Sequence, residues 1–97
     1  MNPNTLLKIK RLLNGESFIT SEKGNSMTPI LKSGEKCFIE PITWKQCKAG
    51  DVVFCKVHGF CVTHKVYSVD TSKGCLIGNN HGHINGWTKN VYGKCKI

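Results

Sequence analysis

A mostly β domain with one N-terminal helix is the fold class this sequence predicts, and three observations lead there. Ninety-seven residues form one domain, because a second would leave neither part enough interior to offset the entropy of ordering its chain. A helical period occurs once, at the start. From Ser17 onward, short β-branched or aromatic runs alternate with Gly, Pro, Asn and Lys-Ser punctuation, the pattern of short strands joined by turns.

Asn4 or Thr5 is the expected cap of a helix within residues 1–15. Leu6, Leu7, Ile9, Leu12 and Leu13 share a broad apolar face opposite Lys8 and Arg11, and Gly15 stops it. Strands are expected over residues 17–21, 36–40, 51–57, 60–69, 74–78 and 91–97. Only His58 and Gly59 separate the third run from the fourth, which reads as a tight hairpin with Gly at positive φ. Residues 16–97 thus form one curled antiparallel sheet around a single modest core, with the helix packed against it.

Thirteen lysines and one arginine against six acids give a formal charge of +8. Such a surplus attracts anions, but without arginine clustering or aromatic spacing it does not predict specific nucleic-acid recognition. A further reading, nucleic-acid binding through Lys89, Lys94 and Lys96, predicts an affinity that falls steeply with salt. No apolar run approaches the ~20 residues of a membrane span, and no secretory leader is discernible, so the expected compartment is the cytoplasm. There the six cysteines are expected as reduced core residues. Their wide spacing, without a C-x-x-C pair, predicts no metal site, and no cofactor is expected.

The most informative stretch is Gly24-Asn25-Ser26-Met27-Thr28-Pro29. A serine nucleophile needs a backbone that aims amide N–H groups at a developing oxyanion, and a nearby Gly lets that backbone approach a substrate. The same residues also suit an ordinary polar turn. Gly-x-Ser-Met-x-Pro resembles the nucleophile box of the serine protease superfamily that contains LexA-type self-cleaving repressors, and its Ser-Met-x-Pro part is shared with signal peptidases. Gly50-Asp51-Val52-Val53-Phe54 and Val62-Thr63-His64-Lys65-Val66 follow in the order of that superfamily's strand and base-bearing hairpin.

The resemblance covers Gly24 to the C-terminus and implies the partly open β barrel of those proteases. It implies Ser26 as nucleophile, His64 as base, and Gly24, Asn25 and Met27 around a main-chain oxyanion hole. His64 and Lys65 should face opposite sides of a strand, so only one reaches Ser26. A histidine serves as base near neutral pH without the deep desolvation that a lysine needs. Gly78-Asn79-Asn80-His81-Gly82-His83-Ile84-Asn85 resembles the third box of signal peptidases with both aspartates replaced, by Asn79 and Asn85, and with His83 in place of a serine. Either asparagine can orient an imidazole but not stabilise its cation by charge. His81 and His83 are expected on a loop lining the cleft, and Trp87 either packs over that loop or forms a pocket wall, although an aromatic at such a place is more often core than binding surface.

The implied activity is peptide-bond hydrolysis on a polypeptide bound as an extended strand. With no DNA-binding domain ahead of the protease-like part, the expected protein is a minimal phage or mobile-element form, and a dimer is compatible with it. The rival reading is a peptide-binding module on the same fold with weak or no turnover.

Overall fold

The computed structural model describes residues 2–21 and 24–97; of the expected helical segment 1–15, Met1 lies outside them. Helix α1 spans Pro3–Leu13. Its cap is Asn2, two residues ahead of the expected position. The Asn2 side chain accepts from the Asn4 N–H at 2.8 Å, and Pro3 takes the first helical turn, where its missing N–H costs nothing. At the other end the Gly15 N–H reaches Leu12 O and the Glu16 N–H reaches Arg11 O, both at 3.0 Å. This double closure needs a left-handed residue, which Gly15 supplies at φ +85°. Only Ile9 and Leu12 are buried, while Leu6, Leu7 and Leu13 are exposed, so the helix offers the sheet a narrower stripe than its pattern suggests.

Seven strands follow: β1 (Phe18–Ser21), β2 (Lys36–Pro41), β3 (Val52–Val57), β4 (Phe60–Asp70), β5 (Gly74–Gly78), β6 (Ile84–Thr88) and β7 (Val91–Lys96). They make one open sheet in the order β1-β2-β7-β3-β4-β5-β6, with every neighbouring pair antiparallel. Strand β6 is absent from the sequence expectation because Asn85 and Gly86 interrupt its pattern. Its pairing with β5, Cys75↔Thr88 to Gly78↔Ile84, overrides that weak propensity. The β3–β4 hairpin turns through His58 at φ +49° and Gly59 at φ +83°, so both central residues are left-handed, as a type I′ turn requires.

The interior is divided by β3, whose side chains alternate across the sheet. Val52 and Phe54 join Ile9, Leu12, Met27, Leu31, Cys37, Ile39 and Cys95 on one face. Val53, Cys55 and Val57 join Cys47, Val66, Cys75, Ile77 and Val91 on the other. The expected single core is therefore two clusters. Five of the six cysteines are buried in them and Cys61 is half-buried. No described helix is long and apolar enough to cross a membrane.

Candidate active site

The serine box is a compact turn nailed down by its own chemistry. Met27 is buried at 3% exposure and seats the turn in the helix-side core beside Leu31, so this methionine serves as an anchor before it serves as a cleft residue. Thr28 donates to Asn25 O through its amide at 3.2 Å and through Oγ1 at 2.9 Å, and the Leu31 N–H reaches Met27 O at 2.9 Å. Gly24 adopts φ +106°, a conformation costly for a residue with a Cβ, and its N–H donates to Ser33 Oγ at 3.0 Å. Among the described residues the Ser26 and Met27 amides donate to no acceptor.

His64 arrives from β4, where it pairs with Val53 on β3, and its Nε2 lies 3.2 Å from Ser26 Oγ. On the far side of the ring, Nδ1 lies 2.7 Å from Asn85 Oδ1. An amide oxygen only accepts, so Nδ1 carries the proton and Nε2 presents its lone pair to the serine hydroxyl. Lys65, one residue on, is directed elsewhere: its Nζ donates to Asn80 Oδ1 at 3.1 Å and lies 4.7 Å from the Tyr67 ring centroid.

The other singled-out residues divide sharply. Asn85 meets the His64 ring; Asn79 does not touch it. The Asn79 Oδ1 instead accepts from the His81 and His83 amides, at 2.8 and 3.0 Å, while its carbonyl accepts from the Tyr67 hydroxyl. These bonds shape the loop 79–83. The exposed His83 contributes its carbonyl, which accepts from the Asn79 N–H at 2.9 Å. His81 reaches back to the serine turn, donating from Nε2 to Asn25 O at 2.9 Å, and neither it nor His83 lines the cleft beside Ser26 and His64.

Asn80 escaped the sequence reading as a site residue. Its amide N–H donates to Ser26 O at 2.8 Å, and its Nδ2 donates to Thr28 O at 2.9 Å. One side chain and its own backbone thus clamp the serine turn, at Ser26 and Thr28, to the loop that leads into β6 and Asn85. The signal for it was weak: an Asn beside another Asn in a Gly-rich segment reads as an ordinary turn.

Ser26 and His64 open onto a cleft of about 210 Å³, walled by Gly24, Met27, Leu31, Cys61 and Thr63. The outer edge of this cleft is distinctive. Phe60–His64 pairs with β3 on one side only, because pairing with β5 begins at Lys65↔Gly78. Five residues of sheet edge therefore stand unpaired by any described strand beside the serine. Thr63 Oγ1, also on this wall, is buried without a hydrogen-bond partner among the described residues.

No protein-family model, curated protein or solved structure matches this chain.

Proposed function

We propose that this protein is a serine peptidase of the LexA and signal-peptidase type, working through Ser26, His64 and Asn85. The observation that carries the reading is the continuous hydrogen-bonded line from Ser26 Oγ to His64 Nε2 at 3.2 Å and from His64 Nδ1 to Asn85 Oδ1 at 2.7 Å. Residues far apart in the chain converge on the geometry of a nucleophile, its base and an orienting group.

In this mechanism an extended polypeptide adds to the free edge of Phe60–His64, as strand-capturing proteins bind their ligands. Its scissile carbonyl then lies over Ser26. His64 Nε2 takes the hydroxyl proton as Oγ attacks, and the Ser26 and Met27 amides receive the oxyanion. His64 returns the proton to the leaving amine. Water, deprotonated by the same nitrogen, resolves the acyl-enzyme. Asn85 holds the tautomer throughout but adds no charge to stabilise the imidazolium, which makes the chemistry slow.

The rival binding module would use the same edge without turnover, and the loss of both carboxylates favours it. A fluorophosphonate probe separates the two. Labelling of the wild-type protein at Ser26, lost in Ser26→Ala and at least about 100-fold slower in His64→Ala, supports the peptidase. An unlabelled wild-type protein that still binds extended peptides supports the module.

A further inference from the structure

On the far side of the β3–β4 hairpin from the cleft lies a second concavity that plays no part in the proposed chemistry. This open groove, about 610 Å³, is lined by Lys56, His58, Lys73, Trp87, Lys89 and Tyr92 among others. These residues come from β3, the hairpin turn, the β4–β5 turn, β6 and β7. No carboxylate among the described residues lines it. The acid closest in sequence to Lys73, Asp70, is occupied within its own turn, accepting from the Ser72 N–H, Ser72 Oγ and the Lys73 N–H.

The charges here differ from those at the end of β7. Lys94 is neutralised by Asp51 at 3.3 Å and Lys96 by Glu40 at 3.4 Å, whereas Lys56, Lys73 and Lys89 take part in no ion pair among the described residues. Two of them rest on tryptophan instead. Lys73 Nζ lies 5.2 Å from the Trp87 ring centroid, and Lys89 Nζ lies 5.3 Å from that of Trp44. Lys45 approaches the same Trp44 ring at 5.9 Å. Trp87 is the indole in the groove wall, and Trp44 meets the groove through Lys89.

We propose that this groove binds single-stranded nucleic acid, with phosphates held by Lys56, Lys73 and Lys89 and a base stacked on Trp87. Unpaired lysines alone would suit any polyanion. The aromatic rings decide between them, because a planar base has a face to stack and an acidic peptide has none. An anionic bilayer meets a flat or convex face, whereas the Trp87 ring lines a concavity. A phosphate drawing Lys73 off the indole uncovers the ring face that the base then occupies. Lysine contacts to phosphate carry no sequence information, so the binding is sequence-tolerant.

The test is titration of the whole protein with a ten-residue oligothymidylate, followed by tryptophan fluorescence at several salt concentrations. Three phosphate contacts on a single strand predict a log–log salt slope of about −2, a loss of roughly 15-fold in affinity between ~50 and ~200 mM salt. Quenching should vanish in Trp87→Phe. The double variant Lys73→Ala/Lys89→Ala, altered only at exposed positions, should flatten the slope to about −0.7. Ser26→Ala should bind as the wild type does, since the proposal rests on no part of the peptidase reading. Unchanged affinity and slope in the double lysine variant would overturn it. So would inorganic polyphosphate or phosphatidylserine vesicles binding while the oligonucleotide leaves the fluorescence unmoved.

Discussion

At the level of single residues, the consequential choice is an amide where a carboxylate would complete a charged triad. Asn85 offers His64 one accepting oxygen, enough to fix which ring nitrogen bears the proton but not to favour the imidazolium. Two substitutions separate these effects. Asn85→Ala removes the orienting bond, and fluorophosphonate labelling of Ser26 should slow by about 10²-fold. Asn85→Asp keeps the acceptor and adds charge, so labelling should accelerate by about tenfold or more. Equal rates in all three proteins would mean that Asn85 has no bearing on the nucleophile. Ser26 and His64 were legible in the sequence because a motif and a strand position named them. Asn79 and Asn85 were indistinguishable there, since the resemblance puts both at positions where an acid is expected. The structure separates them by register: Asn85 lies on β6 beside the base, and Asn79 lies before the turn.

At the level of elements, the site depends on how closely the loop 79–83 crosses the end of β5. A Cβ placed on Gly78 would lie 2.5 Å from His83 O and 2.7 Å from the Tyr67 ring. The first obstacle is backbone and cannot swing away. Gly78→Ala should therefore destabilise the protein by about 1–3 kcal/mol and loosen the Asn80 clamp on the serine turn. Urea unfolding checks the first effect and Ser26 labelling the second, and a variant with unchanged midpoint and labelling would show the loop to be independent of Gly78. The strands with β-branched runs and the two-residue hairpin were readable because local propensity and tertiary pairing agree in them. Strand β6 was hidden because they disagree: Ile84-Asn85-Gly86-Trp87-Thr88 has a poor strand composition and is ordered by its neighbour.

For the molecule as a whole, buried thiols tie stability to alkaline pH. Burial, with smaller contributions from neighbouring thiols, pushes Cys55 up from the ordinary 9.0 to about 12. Burial likewise pushes Cys47 up to about 12, reinforced by Cys75 and Asp51. A folded-state value above the unfolded one means that the native protein holds its proton where the unfolded chain releases it. The stabilisation is complete below pH 9 and is lost as pH rises toward 12. The urea midpoint should fall across that window, and Cys55→Ala should shallow the fall while lowering stability at neutral pH. A midpoint independent of pH between 9 and 11 would contradict the burial of these thiols.

Local chemistry by itself determined the β-rich class, the single helix at the start and the tight hairpin, and a resemblance of short motifs singled out the pair of residues proposed for the chemistry. Each of these is encoded in a stretch short enough for its own periodicity, turn residues or motif to specify it. Which asparagine meets the imidazole, how Asn80 clamps the serine turn, and the gathering of dispersed lysines around two indoles were decided only by tertiary structure. Such features join side chains from strands remote in sequence, and their distances follow from sheet order and register, which no local pattern contains.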